Sequence, residues 1–184
     1  PGAPAVRNIH MLDGETGWME GAGGKIWTLD SGGSSRFTSP TTSDLNAVAV
    51  VSASDAWAVG AGGTILRYDG SGWSAVASPE SQDFWSVKML SAADGWIVGD
   101  GGKIARWNGT SWSGVQSPVS DHLRSVSMPS QSEGWAVGYN GVIARYDGDA
   151  WSQATSPTSE VLTGVSCSSA ERCLAVGYAG TFLK

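Results

Sequence analysis

Basic residues are scarce in this chain, and they never cluster. Lys and Arg number 11 among 184 residues, against 17 Asp and Glu, for a formal net charge of −6. Phosphate-rich partners need grouped cations, so neither nucleic acid nor an anionic membrane surface is an expected partner. Apolar runs are short, far below the roughly 18 to 20 residues of a membrane-spanning helix. Membrane insertion is therefore not expected. Histidine is limited to His10 and His122, and cysteine to Cys167 and Cys173. That set does not make a structural zinc site, which takes four ligands at short spacings. No metal or cofactor is expected. No G-x-S-x-G nucleophile elbow occurs, and nothing marks an amphipathic helix. No leader is visible ahead of Pro1, which allows for one already removed.

Gly, Ser, Thr and Trp are plentiful instead, with 26 Gly and 10 Trp. They fall into five copies of one phrase, opening at Val6, Leu45, Phe84, Leu123 and Leu162, at a constant spacing of 39 residues. Each full copy holds four short apolar runs. In the second copy these are 45–51, 56–60, 64–68 and 73–78, separated by turn residues. Runs rich in Val, Ile, Trp and Tyr, bounded by Gly, Asp, Ser and Pro, read as strands joined by tight turns. Four antiparallel strands in about 40 residues make the blade of a β-propeller. The expected fold is all-β: one propeller domain over residues 1–184, with blades at 6–44, 45–83, 84–122, 123–161 and 162–184. The last blade is incomplete, because the final copy stops after its third strand. Five residues before the first strand, two of them Pro1 and Pro4, are too few to supply a fourth. An open edge of that kind is a template for strand addition and for a homo-oligomer.

The repeated residues are expected to build the scaffold. Trp18, Trp57, Trp96 and Trp135 open the second strands and should pack blade on blade, with Leu174 in that slot in the last copy. Trp73, Trp112 and Trp151 open the fourth strands and should cover the blade rim. Arg67, Arg106 and Arg145 read as structural rim residues. Asp69, Asn108 and Asp147 should bond the N–H groups of their own turns. Cys167 and Cys173 flank a hairpin turn and should form a disulfide, which implies an oxidising compartment. Two free buried thiols are the alternative.

The phrase G-W-A-V-G-x-x-G-x-I-x-R-Y-D-G-x-x-W resembles the propeller repeats of the photosystem II assembly and stability factor family and its bacterial relatives. It also resembles a relaxed Asp-box, the turn of bacterial neuraminidase repeats. The resemblance covers nearly the whole chain and implies architecture. In that superfamily the motif residues hold turns and perform no chemistry.

No catalytic set emerges. The arginines do not suggest a converging triad of the neuraminidase kind, and no carboxylate pair stands out for glycoside hydrolysis. Glu20 does break the pattern: it occupies a slot that is Val59, Val98, Val137 and Val176 elsewhere. A carboxylate there must find a partner or stay near water. Other departures from the repeat point to one face. Asp100, Tyr139 and Tyr178 are equivalent positions in the turn after the second strand. Trp85 and Arg124 are equivalent at the second residue of the first strand. Together these five are the candidate ligand-binding residues, offering aromatic platforms and charge to a sugar or a peptide. The expected function is a non-enzymatic binding module, extracellular or in the cell envelope, with a glycan or protein surface as partner. Five-bladed lectins of the tachylectin type offer an analogy for sugar binding. Self-assembly through the fifth blade is the second reading. A glycoside-acting enzyme using Glu20 or Asp100 is the third.

Overall fold

A computed structural model describes residues 6–184. The expectations placed on Pro1 to Ala5 lie outside the described residues. Blade one comprises β1 (Val6–Met11), β2 (Gly17–Gly21), β3 (Ile26–Asp30) and β4 (Gly33–Phe37). Blade two comprises β5 (Leu45–Ser52), β6 (Asp55–Gly60), β7 (Ile65–Tyr68) and β8 (Trp73–Ala75). Blade three comprises β9 (Phe84–Ser91), β10 (Asp94–Gly99), β11 (Ile104–Trp107) and β12 (Trp112–Val115). Blade four comprises β13 (Leu123–Ser130), β14 (Glu133–Gly138), β15 (Ile143–Tyr146) and β16 (Trp151–Ala154). Blade five has β17 (Leu162–Ser169), β18 (Arg172–Gly177) and β19 (Phe182–Leu183). Every sheet is an antiparallel meander in sequence order, four-stranded in blades one to four and three-stranded in blade five.

The fourth strands are shorter than the sequence suggests. β8 ends at Ala75, although the Val76 N–H still donates to the Ile65 carbonyl. Beyond it the chain leaves the sheet, because Ser78 Oγ turns back to bond the Glu80 backbone. That connector lies against the turn after the second strand. Gly63 has a positive φ of 72°, and a Cβ there would collide with the Glu80 carbonyl oxygen. Gly24, Gly102 and Gly141 meet Thr41, Val119 and Thr158 in the same way. Glycine recurs at this position because the connector leaves no room for a side chain.

The core lies between blades rather than within them, as radial packing requires. The face of one blade carrying the second-strand tryptophan meets the opposite face of the next. Trp18 packs on Tyr68 and Trp73 at ring distances of 4.6 and 5.0 Å. Trp57 packs on Trp107 and Trp112 at 4.7 and 5.5 Å. Trp96 packs on Tyr146 and Trp151 at 4.8 and 5.5 Å. The fourth-strand tryptophans are thus not rim covers. They are buried wedges that reach back to the preceding blade, because an indole at the edge strand buries more area there than over its own sheet. Arg67, Arg106 and Arg145 each bridge to an acid on the neighbouring strand, Asp55, Asp94 and Glu133. Each guanidinium also lies over its second-strand tryptophan.

Packing runs in series, β1 on β5, β5 on β9, β9 on β13 and β13 on β17, and β17 has no comparable contact with β1. Among the described residues the blades form an open arc, and its two ends expose apolar side chains. Val6, Ile9 and Met11 are exposed on blade one, and Leu174, Val176 and Phe182 on blade five. Leu174 holds the tryptophan slot by position and is exposed among the described residues. Cys167 and Cys173 are bonded cross-strand partners at the tip of blade five.

Candidate functional site

The second residues of the five inner strands are Arg7, Asn46, Trp85, Arg124 and Thr163, and all five line one depression of about 550 Å³. The repeat dictates this: equivalent residues on radially arranged strands point to a common axis. Polar side chains line the rest, including Asn8, Ser86 and Ser125.

The turn after each second strand folds over the same end of the arc. Its first N–H donates to the carbonyl of the residue that precedes the inner strand of the same blade: Ala61 to Asp44, Asp100 to Asp83, Tyr139 to His122 and Tyr178 to Val161. The side chains of these connecting residues then cap the turn of the preceding blade. Asp44 accepts from the Gly23 N–H, and Asp83 from the Gly62 N–H, each at 2.8 Å. His122 stands where the two earlier copies have aspartate, and it ties the site together. Its Nδ1 lies 2.7 Å from Asp100 Oδ1, and its ring meets Tyr139 edge-on at 5.2 Å. Asp100 Oδ1 also accepts from the indole N–H of Trp85 at 2.5 Å. Arg124 lies over the Trp85 ring at 3.8 Å from its centroid and 5.9 Å from that of Tyr139.

Four of the five candidate residues therefore form one network: Trp85, Asp100, Arg124 and Tyr139. Tyr178 does not join it. It is 62% exposed, and the positions of Tyr139's partners His122 and Arg124 are Val161 and Thr163 in this blade, which offer neither a ring nor a cation. Sequence reasoning missed His122. The signal was available, since position 122 aligns with Asp44 and Asp83, and a substitution at a capping position was as informative as those at the turns. The free aromatic platform is also corrected in part: Arg124 covers one face of Trp85, so that face is a cation–π partner and not an open stacking surface.

Charge in the depression is mostly positive. Arg7 pairs with Asp44 at 2.6 Å and with the Asn46 side-chain oxygen. The Gly23 N–H, assisted by the Arg7 charge, holds the Asp44 carboxyl below its usual range. Arg124 has no carboxylate partner among the described residues. His10 is half-buried on β1, and desolvation pushes its imidazole below the ordinary value, against a raising backbone contact from Val48 and with a smaller lowering push from Lys88.

Glu20 neither stays near water nor finds a partner. It is fully buried between blades one and two, and both carboxylate oxygens lack a hydrogen bond of good geometry. Burial pushes its carboxyl up to about 7, with weaker opposing effects from the Glu20 and Asn8 backbone and the Arg7 charge. It does not line the depression over the inner strands. Asp69, Asn108 and Asp147 bond their own turn N–H groups, as expected. No group of acids, histidines and cysteines among the described residues could hold a metal ion.

Solved structures share this architecture. A YCF48 bound to a D1 peptide superposes on 99% of this chain with a TM-score of 0.76, at 19% identity. The chain has the fold of YCF48. YCF48 from Cyanidioschyzon merolae gives a TM-score of 0.75 at 17% identity, again over 99% of this chain. The chain spans 63% of the first structure's length and 70% of the second's. The likeness to YCF48 is one of fold and gives no separate support to the Asp-box. No protein-family model matches the chain, and no curated protein matches it in sequence.

Proposed function

We propose that this chain is a non-enzymatic module that binds an extended peptide of a partner protein in the depression over its inner strands. The observation that carries this is the Arg124–Trp85–Asp100–His122–Tyr139 network beside Arg7 and Asn46. It offers a held but unneutralised guanidinium, hydroxyl and amide side chains, and an exposed tyrosine edge. Such a surface suits carboxylate and backbone groups. The YCF48 that carries a D1 peptide on the same fold supports a peptide as the class of ligand. A glycan would need a stacking face, and Arg124 occupies one face of Trp85. The disulfide of blade five fits an oxidising compartment outside the cytosol.

A display library of random twelve-residue peptides tests this reading. Binders enriched in acidic residues or a free carboxyl end, and weakened at least about tenfold by Arg7→Ala with Arg124→Ala, are the expected outcome. Binders indifferent to both substitutions would place recognition elsewhere.

A further inference from the structure

One nitrogen of the network has two partners with opposite demands. The Gly101 N–H donates to His122 Nδ1 at 3.2 Å. The same Nδ1 lies 2.7 Å from Asp100 Oδ1. The first contact needs a lone pair on Nδ1, and the second needs a proton there. A charged ring carries protons on both nitrogens, so it bonds Asp100 and releases Gly101. A neutral ring with its proton on Nε2 bonds Gly101 and turns a lone pair towards Asp100. The proton thus selects the partner.

The repeat shows that this pairing belongs to one interface. Asp44 and Asp83 cap Gly23 and Gly62 as plain acceptors. The residues before those glycines are Ala22 and Ala61. Where the cap becomes His122, the residue before its glycine becomes Asp100. A carboxylate cap there would repel Asp100, whereas a protonated imidazole attracts it.

The charge state reaches the depression through Trp85. Asp100 Oδ1 accepts from the Trp85 indole N–H, and Arg124 lies over that indole. Arg7, the equivalent cation of blade one, is neutralised by Asp44. Arg124 has Val161 in the place of Asp44, which leaves its charge free for a ligand. With His122 charged, Asp100 is paired and a ligand carboxylate meets Arg124 unopposed. With His122 neutral, Asp100 is a bare anion across the indole from that carboxylate. The other groups around His122 are Tyr139, edge-on to the ring, Arg124 near that tyrosine, and Asp121, which the Asn140 side chain engages. The imidazole is half-exposed, so solvent protons reach it. Histidine is the side chain whose ordinary charge change falls between about pH 5 and 8.

We infer that peptide binding at the depression is proton-linked: an acidic segment binds with uptake of a proton by His122. This rests on the depression being the peptide site. A carboxylate bound at Arg124 disfavours a bare Asp100 and so favours the imidazolium. By reciprocity, the protonated chain binds that carboxylate more tightly.

The probe is hexa-aspartate with a free carboxyl end, titrated into the whole chain by calorimetry at about pH 5.5 and about pH 8. The Glu20→Gln chain is the reference, because the Glu20 carboxyl is raised to about 7 and would add its own protons. Affinity should be about fivefold higher at the lower pH. Near pH 6.5 the heat should differ between two buffers of unlike ionisation enthalpy, as proton uptake requires. His122→Asn keeps an acceptor for Gly101 and a donor for Asp100 but cannot titrate, so its affinity should be the same at both pH values. His122→Asp, the residue of two other blades, should weaken binding at both. In the free chain the indole N–H resonance of Trp85, assigned by its loss in Trp85→Phe, should move as His122 titrates. Equal affinity of the reference chain at both pH values would overturn the inference and leave the peptide site standing. Absence of binding at millimolar peptide at either pH would remove the acidic-peptide site and the inference with it. A fivefold change retained in His122→Asn, or a Trp85 resonance that stays still, would also overturn it.

Discussion

The guanidinium of Arg124 lies 3.8 Å from the centre of the Trp85 ring, on the adjacent inner strand. One contact thereby joins blades three and four at the mouth of the depression. It holds the cation in place without neutralising it. Arg124→Lys should lose most of the planar stacking while keeping the charge. Peptide affinity at the depression is expected to fall by about tenfold on this substitution, with an unchanged thermal midpoint. An equal affinity for the lysine variant would reduce Arg124 to a simple charge.

Glu20 should make stability depend on pH. Its carboxyl is raised from 4.5 to about 7 in the folded chain, so the folded state holds the proton more tightly than the unfolded one. Below about pH 4.5 the group is protonated in both states and its burial costs least. The cost grows as pH rises towards 7 and levels off above it, at about 3 kcal/mol. Glu20→Gln should remove this dependence, and Glu20→Val should stabilise the chain at pH 8 by a similar amount. Urea unfolding at pH 5 and pH 8 measures both. A flat difference between wild type and Glu20→Gln across that range would contradict the buried placement.

Equivalent tryptophans should not be equivalent in energy. Trp57→Ala opens a cavity in a closed interface and is expected to cost about 3 to 5 kcal/mol. Trp135 is only partly buried among the described residues, so Trp135→Ala should cost about half as much. Urea midpoints of the two variants, compared at constant slope, check this. Equal losses would mean that the fourth interface is as well packed as the second.

Ala179 has a φ of 53°, at a position where three other blades have Gly23, Gly62 and Gly101. The left-handed conformation is costly for a residue with a Cβ. Ala179→Gly should therefore stabilise blade five by up to about 1 kcal/mol, the gain being trimmed by the greater freedom of glycine in the unfolded chain. A loss of stability would show that the entropy of the unfolded chain outweighs the strain relieved.

The Cys167–Cys173 bond closes a loop six residues apart, and chain entropy assigns so short a loop about 2 kcal/mol. Reduction should loosen the tip of blade five first. Hydrogen exchange in β17 and β18, before and after a reductant, measures it. Protection lost equally in all blades would mean that the arc unfolds as one unit.

The sequence by itself determined the blades. A constant spacing, alternating apolar runs and Asp–Gly turns leave few arrangements, because each small sheet must bury both faces against a copy of itself. It also pointed to Trp85, Asp100, Arg124 and Tyr139, since residues that depart from a repeat are free of its packing duties. The tertiary structure decided what those residues do to one another. Arg124 covers Trp85, and His122 joins Asp100 to Tyr139, contacts between neighbouring blades that no single copy of the phrase encodes. The fate of Glu20 and the inward reach of Trp73, Trp112 and Trp151 were likewise decided there. Burial belongs to the interface between two copies, and a strand pattern reports only which face of its own sheet a side chain takes.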